Sequence, residues 1–347
     1  MNDDPLAAIV SKEEGEETIA ALREEGVYDD SRSVREAGEG ALALPVVRPP
    51  VETDVHEVIH QSDPEPRAPG LEGLLGERGW SDGERSRAPK SWAVIGGVIL
   101  ADFEGCPREG EVGEALLELH GGADTVLARE GIAGEHRVPS VRVVAGTGDT
   151  ETVHTEHGTR YALDLSKVMF SPGNKRERAR MGEVVEAGER VLDMFAGIGY
   201  FTLPMARAGA CVTAVERNPV AFRYLLENAV LNEVEERIDA YRADCRDVEV
   251  QGIDRVVMGY YDASEPRTDG AGYEYLPSAL DALRDGGVLH MHEATPEAHL
   301  WERPVSRLRE AAANAGREVE VLDRRRVKSH SAGVAHVVVD ARIGRSD

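Results

Sequence analysis

The sequence predicts an α/β protein whose carboxyl-terminal half is a doubly wound, mostly parallel sheet. From about Arg178 onward, apolar segments of strand length alternate with helical patterns. A glycine-containing turn follows the first of these strands, and acids follow the second and the third. Alternating strands and helices are typical of parallel sheets with helices on both faces. A β-rich α+β domain and a small N-terminal α/β module precede this sheet.

Composition sets the outer limits of the prediction. The 347 residues are enough for two or three domains. No run of about 18 apolar residues occurs, and the acidic N-terminus is unlike a signal peptide, so we expect a cytoplasmic protein with no membrane partner. Cys106, Cys211 and Cys245 lie far apart, which argues against a disulfide scaffold, a zinc ribbon and an iron–sulfur cluster. We expect buried structural thiols.

The charge balance bears on the partner. Sixty-four acids against 40 lysines and arginines give a formal net charge of −24, which normally argues against nucleic acid. An acidic, lysine-poor surface also keeps a chain hydrated in a very salty cytoplasm. There the Debye length is only about 3 Å, so distant repulsion is screened. We therefore expect a halophilic protein and take local cation clusters as the better evidence on RNA.

The first half of the chain divides into three parts. Residues 1–60 predict a small module of strand, helix and strand, with apolar spacing at Ile19, Leu22 and Val27. The segment "QSDPEPRAPG", 61–70, has three prolines and predicts a linker. Residues 71–165 predict a β-rich domain with one helix in "EVGEALLELHGG" and strands in "SWAVIGGVILADF", "HRVPSVRVVAG" and "TRYALDLSKVMF".

Residues 166–347 predict the doubly wound domain. Its strands are "ERVLDMF", "CVTAVE", "IDAYRAD", "DRVVMGY", "GGVLHMHE" and "AHVVVDAR". Ligands of such sheets bind outside the carboxyl ends of the strands, so the turn from Asp193 to Tyr200 is the predicted ligand turn. Gly197 and Gly199 lack a Cβ and allow a tight bend and close approach to a ligand. A nicotinamide-binding turn would place a third glycine at Thr202, and its absence argues against NAD.

Acids after the next two strands complete a cofactor pattern. Glu216 can accept both ribose hydroxyls, and Asp244 can accept the adenine amino group. Together with the missing glycine, these acids resemble a class I, Rossmann-like S-adenosylmethionine enzyme. Asp193 is expected to orient the glycine turn rather than to touch the reacting atoms.

Longer stretches carry a closer resemblance, which covers most of the chain. "KVMFSPGNKRERARM", "VLDMFAGIGYFTLPMA", "AVERNP", "DRVVMG" and "VKSHSAGVAHVVVD" resemble the family that contains the tRNA guanine-37 N1-methyltransferase and the wybutosine-pathway aminocarboxypropyl transferase. The resemblance implies S-adenosylmethionine as co-substrate and tRNA as partner. Its two branches differ in the carbon offered to the base. In-line attack on the methyl carbon leaves S-adenosylhomocysteine, and attack on Cγ of the methionine chain leaves 5′-methylthioadenosine.

The loop after the fourth strand favours the second branch. The methylating branch has Asn-Leu-Pro where this chain has Gly259, Tyr260 and Tyr261. The aminocarboxypropyl branch resembles Gly-Leu-Ile-Pro-Ser-Ser-Glu, and the chain keeps the glycine, the second serine (Ser264) and the glutamate (Glu265). The resemblance thus implies 3-amino-3-carboxypropyl transfer to tRNA(Phe) carrying 4-demethylwyosine. The alternative is guanine-37 N1-methylation.

The resemblance also implies cofactor contacts. Ser171 and Arg178, in "FSPGNKRER", are expected to contact the cofactor, and the guanidinium of Arg178 could hold the methionine carboxylate bidentately. Surface exposure or phosphate contact is the alternative for Arg178. The full predicted set is Ser171, Arg178, Asp193, Gly197, Gly199, Tyr200, Glu216, Asp244, Cys245 and Gly259.

No general base stands out. Three candidates for contacting the base or taking its proton lie in "TVHTEHGT": His154, Glu156 and His157. Gly259 is a further candidate residue. Solvent-facing strand positions are the alternative for the first three. "HMHE", from His290 to Glu293, lacks a third spaced ligand, so we expect no metal.

Two cation clusters stand out against the acidic background. We expect these clusters, together with Lys167, to contact tRNA phosphates. The alternative is that these cations lie at helix ends and on solvent-exposed faces. The expected contacts are Lys167, Lys175, Arg176, Arg325 and Lys328, with Arg180, Arg324 and Arg326 beside them. The N-terminal module is expected to reach a distant part of the tRNA, and the chain is expected to be a monomer. An RNA-binding relative without chemistry would be expected to lose the cofactor turn, which this chain keeps.

Overall fold

The computed structural model describes residues 5–38, 40–61, 63–67, 69–134, 136–269 and 272–345. The chain forms two compact units, residues 1–85 and residues 86–347. The predicted division into three domains and a linker stays a prediction.

The first unit contains the predicted strand–helix–strand module. An antiparallel sheet of order β2-β3-β1-β4 packs on α1 through a core that includes Leu22 and Leu44. Its elements are β1 (Leu6–Ser11), α1 (Gly15–Glu24), β2 (Arg35–Glu36), β3 (Ala41–Val46), β4 (Glu57–His60), α2 (Leu71–Glu77) and α3 (Asp82–Arg85). Backbone hydrogen bonds join Ser33 to Glu65 and Arg67 to Ser31, so this part of the proline-rich segment is held against the first unit.

The second unit begins with two small sheets. The first has the order β5-β6-β7-β8 and the second pairs β9 with β10. The elements are β5 (Trp92–Ile95), β6 (Val98–Ala101), α4 (Glu109–Leu119), β7 (Thr125–Ala133), β8 (Val138–Gly146), β9 (Glu151–Glu156) and β10 (Thr159–Asp164). The predicted strand "SWAVIGGVILADF" is two strands joined by a turn at Gly96, whose φ is +55°.

A seven-stranded sheet forms the rest of the second unit. Its order is β13-β12-β11-β14-β15-β17-β16, parallel from β13 to β15 and antiparallel at β17 and β16. The elements are α5 (Lys175–Val184), β11 (Arg190–Asp193), α6 (Thr202–Arg207), β12 (Cys211–Val215), α7 (Pro219–Leu231), β13 (Ile238–Tyr241), β14 (Ile253–Met258), α8 (Leu276–Ala282), β15 (Leu283–Pro296), α9 (Glu302–Asn314), β16 (Arg317–Ser331) and β17 (Val334–Arg345). The predicted α/β architecture is confirmed; β16 was not predicted.

One core joins the small sheets to the large one. Leu127 and Tyr161 of the small sheets lie in the same buried cluster as Val191 of β11 and Leu225 of α7. The β-rich part therefore lies directly against the large sheet. This packing brings the β7–β8 hairpin beside the carboxyl ends of the parallel strands.

Burial tests the expectation of buried thiols. Cys245 is buried, whereas Cys106 is half-buried and Cys211 is exposed, so the expectation of three buried thiols is wrong. Cys211 is the first residue of the short strand β12, and its side chain is exposed to solvent. No helix in the described part of the chain is long and apolar enough to cross a membrane.

Candidate functional site

A cavity of about 440 Å³ opens at the carboxyl ends of β11, β12 and β14. The strand order reverses between β11 and β14, which is where open α/β sheets bind their ligands. Eight of the ten predicted cofactor residues line it: Ser171, Arg178, Gly197, Tyr200, Glu216, Asp244, Cys245 and Gly259.

The glycine turn and Glu216 hold each other in place. The backbone N–H of Gly197 donates to Glu216 at 2.8 Å, and that of Asn218 donates to the other carboxylate oxygen at 2.6 Å. Gly197 has a φ of +58°, and a Cβ there would lie 2.3 Å from the Tyr200 ring. Burial raises the pKa of Glu216 despite these hydrogen bonds. Each carboxylate oxygen of Glu216 still has lone-pair capacity to accept a hydrogen bond from a hydroxyl group.

Asp193 and Gly199 do not line the cavity. Asp193 is fully buried and accepts from the Thr202 hydroxyl at 2.7 Å and from the Phe195 N–H at 3.4 Å, which agrees with an orienting role. Burial raises the pKa of Asp193 to about 6. A Cβ on Gly199 would lie 2.7 Å from Leu203. Gly199 therefore lets α6 pack closely, and the prediction that it approaches the ligand is corrected.

Asp244 and Cys245, which follow β13, form another part of the cavity wall. The Asp244 carboxylate accepts from the Arg246 guanidinium at 2.8 and 2.7 Å and from the Arg246 N–H at 3.0 Å. Hydrogen bonding to Arg246 lowers the pKa of Asp244. Burial raises the pKa of Cys245 to about 12, so this residue is a neutral thiol. We call the walls built by Gly197, Glu216 and Asp244 the turn end of the cavity.

The opposite wall depends on a buried ion pair. We call it the α5 end; its residues are Ser171, Asn174, Arg178, Gly259 and Tyr261. Arg178 is only 2% exposed and donates to Glu156 at 2.7 and 2.9 Å and to the Ser171 carbonyl at 2.9 Å. Burial alone would raise the pKa of Glu156, but hydrogen bonds from His154 and Arg178 lower it to about 2.

This ion pair corrects the expected role of Arg178. The predicted bidentate grip is made on Glu156 rather than on a ligand. A further contact from Arg178 to the cofactor stays a prediction.

The predicted candidates for proton transfer lie elsewhere. His154 accepts from the Gly96 N–H at 3.2 Å and bonds to Glu156 at 3.0 Å, so both ring nitrogens are engaged. His157 occupies a left-handed turn, with a φ of +47°, and lines a second cavity of about 220 Å³. Neither histidine nor Glu156 is among the residues that line the large cavity. Contact of these three residues with the reacting base therefore stays a prediction.

The loop that begins at Gly259 is held by contacts with residues outside the loop. A Cβ at Gly259 would lie 2.9 Å from the Phe201 ring. The Ser264 hydroxyl donates to the buried Glu293 carboxylate, and Arg307 donates to both oxygens of Glu265 at 2.9 Å. The two loop residues that resemble the aminocarboxypropyl branch thus anchor the loop, while the glycine faces the cavity.

Sequence reasoning missed several lining residues. Asn174 donates to the Tyr261 hydroxyl at 3.3 Å, and its carbonyl oxygen is buried without a partner among the described residues. The Tyr260 ring lies 5.4 Å from that of Phe195 and 5.8 Å from the Arg137 guanidinium. The tyrosines in "GYYDASE" were visible in the sequence. Arg137 comes from the β7–β8 hairpin, and only the fold brings it here.

The predicted RNA cations divide into paired and exposed residues. Arg325 donates to Glu177 at 2.8 Å and to Asp340 at 2.6 Å, so its assignment as a phosphate contact is corrected. Lys328 donates to Ser171 at 2.5 Å. Lys167 pairs with Asp164 at 2.6 Å but stays half-exposed, and Lys175 and Arg176 are exposed. The last two remain candidates for RNA contact.

The histidines of "HMHE" are buried in the sheet. His290 bonds to Asp340 at 2.6 Å, and His292 bonds to His336 at 3.0 Å. Burial lowers the pKa of His292 to about 3. No group of three or more His, Cys, Asp or Glu side chains in the described ranges is arranged to hold a metal ion.

Comparison with known proteins agrees with the geometry of the cavity. A family model described as the TRM5/TYW2 methyltransferase domain matches residues 152–322, and one described as the TYW2 N-terminal domain matches residues 71–150. The chain is 40% identical over 262 residues to the tRNA(Phe) (4-demethylwyosine(37)-C(7)) aminocarboxypropyltransferase of Pyrococcus horikoshii, covering 74% of this chain and 91% of that protein.

Two crystal structures resemble the chain. The structure of P. horikoshii TYW2 in complex with MeSAdo has a TM-score of 0.67 and 37% identity, covering 80% of this chain and 98% of that one. Trm5b from Pyrococcus abyssi has a TM-score of 0.71 and 31% identity, covering 98% and 99%. The fold is thus the Rossmann-like fold of S-adenosylmethionine enzymes, and the chain belongs to the TRM5/TYW2 family.

Proposed function

We propose that the protein transfers the 3-amino-3-carboxypropyl group of S-adenosylmethionine to 4-demethylwyosine in tRNA(Phe) and releases 5′-methylthioadenosine. The observation that carries the proposal is Gly259 at the cavity, against the Phe201 ring. An asparagine there, as in the methylating branch, would meet that ring. The relative of 40% identity is named for the same transfer.

The cavity residues fit the co-substrate. The Glu216 carboxylate, held by two backbone N–H groups, suits the ribose hydroxyls. Asp244 and the thiol of Cys245 suit the adenine. The Ser171 hydroxyl supplies a donor for the charged methionine head, and the Asn174 carbonyl oxygen, which has no partner within the described part of the chain, supplies an acceptor. Bound S-adenosylmethionine supplies a sulfonium whose Cγ is open to in-line displacement.

The chain's own contribution is positioning. None of the three candidate bases reaches the cavity, and the buried Arg178–Glu156 pair fixes Ser171 through its carbonyl. An electron-rich ring carbon held in line at near-attack distance needs little further activation. The Cγ–S bond breaks as the new carbon–carbon bond forms, 5′-methylthioadenosine leaves, and the ring carbon then gives up its proton to water. Residues at the α5 end therefore set which carbon faces the base.

Other parts of the proposal rest on the sequence. The exposed Lys175 and Arg176 lie on α5, whose first turn follows the cavity-lining Ser171 and Asn174. We assign them to tRNA phosphates around the base. The role of the N-terminal module, the monomeric state, cytoplasmic location and high-salt adaptation stay predictions.

Product analysis tests the proposal. The protein is incubated at high salt with S-adenosylmethionine and tRNA(Phe) carrying 4-demethylwyosine, and the nucleosides are separated by chromatography. The expected result is 5′-methylthioadenosine with a base heavier by one aminocarboxypropyl group. Formation of S-adenosylhomocysteine with tRNA bearing guanosine at position 37 would assign the chain to the methylating branch instead.

A further inference from the structure

Lys328, on the edge strand of the large sheet, contacts a residue that lines the cavity. It lies on β16 opposite His336 of β17, and its Nζ donates to the Ser171 hydroxyl oxygen at 2.5 Å. Its side chain passes over Gly173, where a Cβ would stand 2.9 Å from the lysine Cδ. Gly173 therefore leaves the path to Ser171 open. The residue predicted to contact tRNA is instead half-buried, and its ammonium donates to a residue of the cavity wall.

Ser171 accepts hydrogen bonds from two cations. Its carbonyl accepts from Arg178 at 2.9 Å, and its hydroxyl oxygen accepts from Lys328. An ammonium has three donors and no lone pair, so a charged lysine can only donate. The Ser171 hydroxyl hydrogen must therefore point away from Lys328. Ser171 lines the cavity beside Tyr261, whose hydroxyl lies within hydrogen-bonding reach of it, so the acceptors left for this hydrogen are the Tyr261 hydroxyl and a ligand in the cavity.

We propose that Lys328 is a positioning residue that makes Ser171 a hydrogen-bond donor to the methionine carboxylate of the co-substrate. This inference rests on the proposed function, because that function supplies the ligand. A carboxylate only accepts hydrogen bonds, so it matches a serine whose hydrogen points into the cavity. The positive charge of Lys328 favours the same anion.

The surroundings of Lys328 make this arrangement sensitive to pH. Arg178 of α5, Arg129 of β7 and His336 of β17 face it. Burial, with the charges of the two arginines, lowers the pKa of Lys328 to about 8. Below this pH the ammonium donates to Ser171. Above it the neutral amine can accept the serine hydrogen, which turns a lone pair toward the ligand.

A comparison of two ligands isolates the contribution of the methionine head to binding. S-Adenosylhomocysteine and 5′-methylthioadenosine are both uncharged at sulfur, but only the first carries the amino acid. Calorimetry on the full chain at pH 7 compares Lys328→Met with the wild type and with Lys90→Met, a control at an exposed position. We expect Lys328→Met to bind S-adenosylhomocysteine about 10-fold or more weakly. Binding of 5′-methylthioadenosine and of tRNA should stay within about 2-fold.

A second variant supports the assignment. Lys328→Arg keeps a charge that does not titrate in this range. The wild-type preference for S-adenosylhomocysteine should fall between pH 7 and pH 9, and that of Lys328→Arg should stay flat. A flat wild-type profile would overturn the inference.

Three further results would overturn it. The first is unchanged S-adenosylhomocysteine affinity in Lys328→Met. The second is equal loss of both ligands, and the third is loss of tRNA affinity with a weaker salt dependence, which marks a phosphate contact. Failure of the wild type to bind either ligand would instead contradict the proposed function.

Discussion

The two ends of the cavity are built in different ways. At the turn end, backbone N–H groups fix Glu216, one from Gly197, 19 residues before it, and one from Asn218, two residues after it. At the α5 end, Arg178 depends on Glu156, 22 residues away, and Ser171 depends on Lys328, 157 residues away. The adenosine moiety of S-adenosylmethionine can thus be held by local geometry. In the proposed function, selection of the reacting carbon depends on one buried ion pair and one side-chain hydrogen bond, between residues that the fold brings together.

The largest expected effect comes from breaking the α5 end. Glu156→Ala leaves Arg178 buried without its carboxylate, which typically costs about 3–5 kcal/mol in the free energy of unfolding. We expect transfer activity to be lost while 5′-methylthioadenosine still binds at the turn end. Denaturant unfolding and calorimetry measure the two effects.

A matched control sharpens this prediction. The exposed Glu130 pairs with Arg142 at 3.0 Å, and Glu130→Ala should change stability by about 0.5 kcal/mol or less. The double variant Glu156→Ala with Arg178→Met should recover part of the lost stability. Equal effects of Glu156→Ala and Glu130→Ala would mean that the buried pair does not hold the α5 end.

The turn end should show its own pH dependence through Asp193. Its pKa is about 6 in the folded protein, against 3.8 for an aspartate free in water. The folded state therefore binds this proton more tightly, and stability is lost as pH rises from about 4 to about 6. Asp193→Asn should remove this component, worth roughly 3 kcal/mol. Unfolding measured from pH 4 to pH 7 tests it, and parallel profiles of variant and wild type would refute the assignment.

A smaller effect is expected from Glu216→Gln. The amide can accept from only one of the two backbone N–H groups and loses one acceptor for ribose. We expect affinity for 5′-methylthioadenosine to fall about 10- to 100-fold by calorimetry. Glu235→Gln, at an exposed position, is the control. An affinity equal to that of the control would remove Glu216 from the ribose site.

The smallest effect belongs to the exposed cations at the start of α5. Lys175→Gln with Arg176→Gln should leave stability within about 0.5 kcal/mol, because both side chains are exposed. The salt dependence of tRNA binding should weaken by roughly one counterion for each cation removed. Filter binding across a salt series measures it, and an unchanged slope would exclude both residues from the RNA interface.

The same contrast explains what the sequence could predict. The alternating strands, the glycine turn, and the cavity positions of Glu216 and Asp244 followed from local pattern, since each lies at a strand end. The sequence also placed Ser171 and Gly259 at the cavity through family resemblance. It could not show that the side chains of Arg325 and Lys328 are paired within the protein. Both residues lie on β16, whose many charged residues hid the strand from prediction. Nor could it show that Glu156 is buried beneath Arg178.

The most direct test of the central claim follows two labels through one reaction. S-Adenosylmethionine carrying a carbon-14 label in its carboxyl group and tritium in its methyl group is incubated with tRNA(Phe) bearing 4-demethylwyosine. If the α5 end presents Cγ to the base, the carboxyl label enters the tRNA and the methyl label stays in 5′-methylthioadenosine. Tritium in the tRNA with carbon-14 left in S-adenosylhomocysteine would contradict the account.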